Sequence, residues 1–218
     1  MILKRYSSVM VVACIGDVVA SREILGRREL NQAVSSALDE VNAEAERWRP
    51  VTPLRITVGD EFQGVFGTLG AALRATLRIR LALTPYDVRF GIGRGDVMVL
   101  SEEPRVEDGS AWWAARHAIE AGAAAQRRAA SRSVRVTYAT DPDGATDPTV
   151  AAALVLQDEL LSRLDERDLS VLSGMLAGMS QDAIAAQEGI SPSAVSQRVR
   201  RGGLATLVAS DAYLGEIE

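Results

Sequence analysis

Ile15-Gly16-Asp17-Val18-Val19-Ala20-Ser21 closes an apolar run, and about forty residues later comes Thr57-Val58-Gly59-Asp60-Glu61-Phe62. Each stretch sets an aspartate beside a glycine at the end or turn of an expected strand. Around the first, Val9–Ile15 is short, rich in β-branched residues and bounded by Gly16-Asp17, which reads as a buried strand. Around the second, Leu54–Val58 and Phe62–Phe66 form a hairpin that turns on Gly59-Asp60. Two aspartates delivered on neighbouring strand edges can hold a divalent ion over a polyphosphate, so this pairing bears on chemistry as well as on fold.

Between these strands, Leu30, Val34, Leu38, Val41 and Ala45 recur at three- and four-residue spacing. They predict an amphipathic helix from Arg27 to Trp48, stopped ahead of Pro50 and Pro53. Leu69–Leu81 is again helical. Val88–Leu100 is expected as one strand, in which Gly91, Gly93 and Gly95 mark a close approach of backbone. These glycines lie within a strand and open no helix, so they make no dinucleotide loop. Ser110–Arg128 is alanine-rich and helical, and Val134–Tyr138 is a further strand. The order β-α-β-β-α-β followed by α-β predicts an α/β (α+β) domain over residues 1–140, a ferredoxin-like sheet with packed helices. The turn-rich Asp141–Pro148 opens a linker and connecting helix over 141–163. Residues 164–218 are expected as three short helices in a small all-α domain.

The chain has 218 residues, 47% of them hydrophobic, which is enough for a proper core and excludes wholesale disorder. Val9 to Ile15 is far too short to span a bilayer, and no cleavage-site pattern follows it. Cys14 is the only cysteine, which excludes disulfides and cysteine-based zinc sites. A cytoplasmic protein without a membrane partner is expected. The net charge of −5 argues against coating by polyanions, yet Ser191 to Gly203 carries Arg198, Arg200 and Arg201 and no acid. Asp211, Glu216 and Glu218 then read as an acidic tail.

Three blocks occur in order over about the first 140 residues: Gly16-Asp17-Val18-Val19-Ala20-Ser21-Arg22, Thr57-Val58-Gly59-Asp60-Glu61-Phe62-Gln63-Gly64 and Arg89-Phe90-Gly91-Ile92-Gly93-Arg94-Gly95. Together they resemble the signature blocks of the SatD family and, more distantly, class III nucleotide cyclases and diguanylate cyclases. The resemblance implies a nucleotide-cyclase-like sheet in which Asp17, Asp60 and Glu61 hold Mg or Mn. It also implies that Arg116 is the catalytic arginine that steadies charge on a transferring phosphate. Gly16, Val18, Ser21 and Gly59 would then offer backbone to the phosphates of a nucleotide. Two positions depart from the cyclase pattern. Trp112 stands where an asparagine precedes the arginine, and Ile56 stands where a base-selecting lysine is expected. Arg55 is adjacent, but strand alternation aims it at the other face. The resemblance therefore implies metal and phosphate binding more than purine selection or cyclisation. His117 reads as a helix-surface or core residue, and Trp112 and Trp113 as packing or interface residues.

In the tail, Ser180 can cap a helix from Gln181 to Glu188, Gly189 supplies a tight turn, and Ser191-Pro192 start a second helix. The spacing of Ala185, Gly189 and Val195 resembles the helix-turn-helix of sigma-factor region 4, with Asp165–Leu176 as supporting helix. The second helix would present Ser193, Ser196, Gln197, Arg198, Arg200 and Arg201 to DNA. Cyclase sites commonly lie between subunits and helix-turn-helix proteins commonly read paired half-sites, so a homodimer is expected. The combined expectation is a DNA-binding transcriptional regulator whose front domain binds a metal-nucleotide or phosphorylated ligand. An active Mg- or Mn-dependent cyclase-like enzyme and a degenerate dimerisation scaffold stay open as alternatives.

Overall fold

In the computed structural model, which describes residues 10–21, 26–44 and 50–218, the strands are β1 (Val11–Val18), β2 (Pro50–Val58), β3 (Glu61–Phe66), β4 (Val88–Gly95), β5 (Met98–Glu102), β6 (Arg105–Asp108) and β7 (Val136–Ala139). The α-helices among these residues are α1 (Arg27–Ala43), α2 (Leu69–Ala82), α3 (Ser110–Ala125), α4 (Pro148–Leu161), α5 (Glu166–Leu176), α6 (Gln181–Glu188), α7 (Pro192–Arg201) and α8 (Leu204–Leu214). Val9, Arg22 and the 45–48 end of the expected first helix lie outside the described residues.

Five strands form one sheet in the order β2-β3-β1-β4-β7. The first four are antiparallel to their neighbours, and β7 joins β4 in parallel. This is the split-βαβ, ferredoxin-like plan with one strand added at the edge. Alternation along β1 divides its side chains between two faces. Val12, Cys14 and Val18 enter the main core with Leu38, Phe62 and Phe66. Val11, Ala13 and Ile15 meet α3 through Trp112, Ala115 and Ile119. The sheet is thus sandwiched, with α1, α2 and α4 on one side and α3 on the other.

β1 runs to Val18, three residues past the expected end, because β3 and β4 pair it on both sides. Gly16 and Asp17 therefore lie inside the strand and not in a turn. A Cβ on Gly16 would sit 2.4 Å from the Phe62 ring. The glycine makes room for the edge-to-face pair of Phe62 and Phe90, whose centroids are 5.7 Å apart. The glycines of β4 have a similar cause. A Cβ on Gly93 would meet Ala115 N at 2.1 Å, and one on Gly91 would meet Ala115 O at 2.3 Å. The close approach expected there is made by the backbone of α3.

Residues 88–100 are not one strand. Ser110 Oγ accepts a hydrogen bond from Asp96 N at 2.8 Å, and Asp96 O accepts from Ala111 N at 3.2 Å. These bonds hold the chain at the start of α3, and β5 and β6 form a separate hairpin. Glu107 fastens this arm to β2, accepting from Thr52 Oγ1 at 2.6 Å and from Arg105 Nε at 3.0 Å. Arg55 lies on the arm side of β2, 3.8 Å from Glu107, while Ile56 packs on the opposite core.

The C-terminal region holds four helices after α4, where three were expected. Their core includes Val171, Leu172, Ile184, Val195, Leu204 and Leu207, and Leu77 of α2 belongs to it. Asp211 is not part of an exposed acidic tail: it is buried, accepting from Arg78 at 2.7 and 2.9 Å and from Arg74 at 3.3 Å. No helix among the described residues is long and apolar enough to cross a membrane.

Candidate functional site

Of the residues expected to hold a ligand in the front part, Asp17 and Glu61 meet arginines at one end of the sheet on the face covered by α3, whereas Gly16 and Val18 face the main core. Asp17 stands directly across from Arg89 in the β1–β4 register. Its Oδ1 accepts from Arg89 Nε at 3.0 Å, and its Oδ2 accepts from Nη2 of the same guanidinium. Arg89 is braced from behind by Gln126 Oε1 at 3.1 Å, and Gln126 in turn donates to Val134 O at 2.7 Å. Glu61, at the start of β3, forms a fork with Arg116 of α3, both bonds at 2.8 Å. The Glu61 bonds, opposed by partial burial, hold the Arg116 guanidinium above its ordinary pKa, and the charges of Glu120 and Asp17 add to the effect.

Asp60 sits in the hairpin turn after Gly59, whose φ of 64° is left-handed. Its Oδ2 accepts from Val18 N at 3.1 Å, which binds the hairpin to the end of β1. Asp17 and Asp60 therefore come from adjoining strand ends, but their carboxylates take different partners. After Val18 the chain turns through Ala20, a non-glycine residue at φ 55°, towards Ser21. A left-handed alanine is uncommon and marks a backbone conformation that its surroundings enforce. Val19 N donates to Asp87 O at 2.8 Å, so this turn rests on the loop ahead of β4.

Carboxylate oxygens are the right donors for Mg or Mn. In this arrangement, however, Asp17 and Glu61 are each spent on a guanidinium. Among the described residues no three acidic, histidine or cysteine side chains surround a common point. The residues as they stand do not form a metal centre; they form two arginine–carboxylate pairs.

The remaining expectations of the front part are simply placed. Trp112 is buried, with its indole N–H lacking a hydrogen-bond partner among the described residues, while Trp113 is exposed and donates to Asp108 at 2.9 Å. His117 is exposed on α3, facing Gly144. Arg89 was quoted in a sequence block without a role. Its place opposite Asp17 was recoverable only by aligning the two strands.

In the tail, Ser180 Oγ accepts from Ala183 N and Ser191 Oγ from Ala194 N, each at 3.2 Å, capping α6 and α7. Gly189 takes the left-handed turn between them at φ 64°. Val195 anchors α7 in the core, with Ile190 and Val199 partly buried beside it. The outward face of α7 carries Ser193, Gln197, Arg200 and Arg201, with Ser196 half-buried. Arg198 instead turns inward, donating to Asp165 at 2.9 and 3.0 Å and to Asp168 at 2.6 Å. Arg200 has no acidic partner among the described residues, and Arg201 has only Asp168 at 3.9 Å.

No protein with a curated description matches the chain. Among solved structures, a bacterial light-regulated adenylyl cyclase is 17% identical, covering 62% of this chain and 77% of that one, with a TM-score of 0.45. The guanylyl cyclase domain of a rhodopsin fusion protein from Blastocladiella emersonii is also 17% identical, over 51% and 75%, with a TM-score of 0.41. A regulator of polyketide synthase expression from Bifidobacterium adolescentis is 13% identical over 96% and 86%, with a TM-score of 0.26. The SatD family model matches residues 11–211, most of the chain, and the protein is accordingly a member of the SatD family.

Proposed function

We propose that this SatD-family protein is a DNA-binding regulator that reads its target with α7. The observation that carries the reading is the division of labour on that helix. Val195 and Arg198 face inward, while Ser193, Gln197, Arg200 and Arg201 project from the surface. Hydroxyl and amide groups beside unspent guanidinium groups suit base edges and phosphates, and a capped helix preceded by a glycine turn suits the major groove. A local basic face on a protein of net charge −5 favours selective contact over general coating. A homodimer would present two such helices to paired half-sites.

The test is fluorescence anisotropy on duplexes selected from a random pool, across a salt series. Arg200→Ala should weaken binding and lower the salt slope by about one. An unchanged slope would remove α7 from the interface.

A second reading concerns the front site, and the paired charges there favour it. A nucleotide that arrives with its own Mg or Mn offers a cation to Asp17, Asp60 and Glu61 and phosphate oxygens to Arg89 and Arg116. Both internal pairs can thus be exchanged without leaving a charge unmatched. Val18 N is held by Asp60, so the turn through Ala20 and Ser21 would supply backbone to the phosphates. Calorimetry of ATP and GTP with manganese, on wild type and an Asp17→Asn/Asp60→Asn double variant, tests this. Heat confined to wild type with metal supports the site, and silence from both reduces the front part to a scaffold.

A further inference from the structure

A cleft of about 290 Å³ opens where the sheet part meets the C-terminal helices. Leu77, Arg80 and Leu81 of α2 form one wall, the 84–87 loop and Arg135 a second, and Leu161 with Leu169 the third. We propose that this cleft is a binding site for a small organic anion, a carboxylate or phosphate head on an apolar body.

The polar groups of the cleft are unequally occupied. Arg135 is spent: its Nε donates to both oxygens of Asp87 and its Nη1 to Arg132 O and Val134 O. Arg80 is not. Its guanidinium makes one hydrogen bond among the described residues, to Asp158 Oδ1. Asp158 is itself buried and also accepts from Arg135 N at 2.6 Å and Val136 N at 3.0 Å. Arg80 therefore keeps several N–H donors, on a side chain that is only 14% exposed and whose remaining surface lines the cleft. Tyr86, partly buried against the main core, lines the same cleft. A guanidinium with donors to spare suits an anionic head, and the leucines around it suit an apolar body. The volume lies just under the roughly 300–1,000 Å³ range of ligand pockets, which suits a small ligand.

The position links the two halves of the chain. Asp87, on the rim, accepts from Val19 N of the front site, whereas Leu161 and Leu169 lead into α5, whose Asp168 grips Arg198 of α7. An occupant would touch both.

The full-length protein with methyl-labelled leucines, titrated with benzoate and with inorganic phosphate, gives the test by NMR. Benzoate should cause saturable shifts at Leu77, Leu81, Leu161 and Leu169, and phosphate should bind more weakly for want of an apolar body. Arg80→Gln keeps an N–H for Asp158 but loses the charge. It should weaken benzoate at least about tenfold, the equivalent of one charge-assisted hydrogen bond. Ser162→Trp, on the exposed rim, should abolish the shifts without touching the core. No saturable shift with benzoate, phosphate binding as tightly as benzoate, or full affinity in both variants would overturn the proposal. The readout depends on neither DNA nor nucleotide.

Discussion

Asp17 and Arg89 lie 72 positions apart and face each other across two strands. The aspartate could be picked out from its glycine neighbour and apolar approach. Its neutralising partner could not, because register between distant strands is set by the whole sheet. The same limit applies to Arg198, whose inward turn depends on Asp165 and Asp168 of another helix. Cys14 was fully legible: an isolated cysteine in a β-branched run is buried. That burial pushes its thiol up to about 12. The thiolate is the reactive form, so the native protein should show almost no reaction with Ellman's reagent at neutral pH and one equivalent in denaturant. Rapid labelling of the folded protein would mean that the strand opens.

At the scale of elements, periodicity located α1, α2 and α3 because each has one face in a core, and β1, buried on both faces, was legible as a short β-branched run. It failed for the β5–β6 arm, whose Met98, Leu100 and Val106 are exposed apolar residues with no pattern of burial to follow. Gly93 of β4 and Gly59 of the β2–β3 turn separate two causes for a glycine. Gly93 has φ in the ordinary range but no room beside α3, whereas Gly59 has open space but a left-handed φ. Gly93→Ala should cost about 1–3 kcal/mol through overpacking, and Gly59→Ala about 1 kcal/mol through strain alone. Urea unfolding of both variants checks the order, and equal losses would contradict it. Asp165 gives α5 a pH response. The hydrogen bond from Asp168 N, then the pairing with Arg198, hold its carboxyl below the ordinary range. A depressed pKa stabilises the fold fully above the unfolded value, and the contribution fades as pH falls through the folded one. Wild type should therefore lose more stability below about pH 4 than Asp165→Asn, by urea unfolding at a series of acid pH values. Parallel acid losses would assign the effect to other carboxylates.

At the scale of the molecule, the sequence suggested a front part and a tail, but it did not reveal what fastens one to the other. Leu77 of α2 lies in the core of the C-terminal helices, and Gly70 N donates to Ile217 O at 2.8 Å. A further clamp is Asp211. It looked like surface acid because its partners, Arg74 and Arg78, lie 137 and 133 residues away. In the structure its side chain is 4% exposed, and Arg78 is 14% exposed. Asp211→Ala takes the shared acceptor from both guanidinium groups, and breaking a buried ion pair from one side costs about 3–5 kcal/mol. That is a large share of the roughly 5–15 kcal/mol that holds most domains folded. Asp211→Ala should lower the urea midpoint accordingly and expose the 162–165 connection to protease. Asp211→Asn keeps hydrogen-bond acceptance and should lose less. A loss below about 1 kcal/mol in Asp211→Ala is the size expected of an exposed ion pair. In that case α8 would be held to α2 chiefly by its apolar contacts and not by the charge pair.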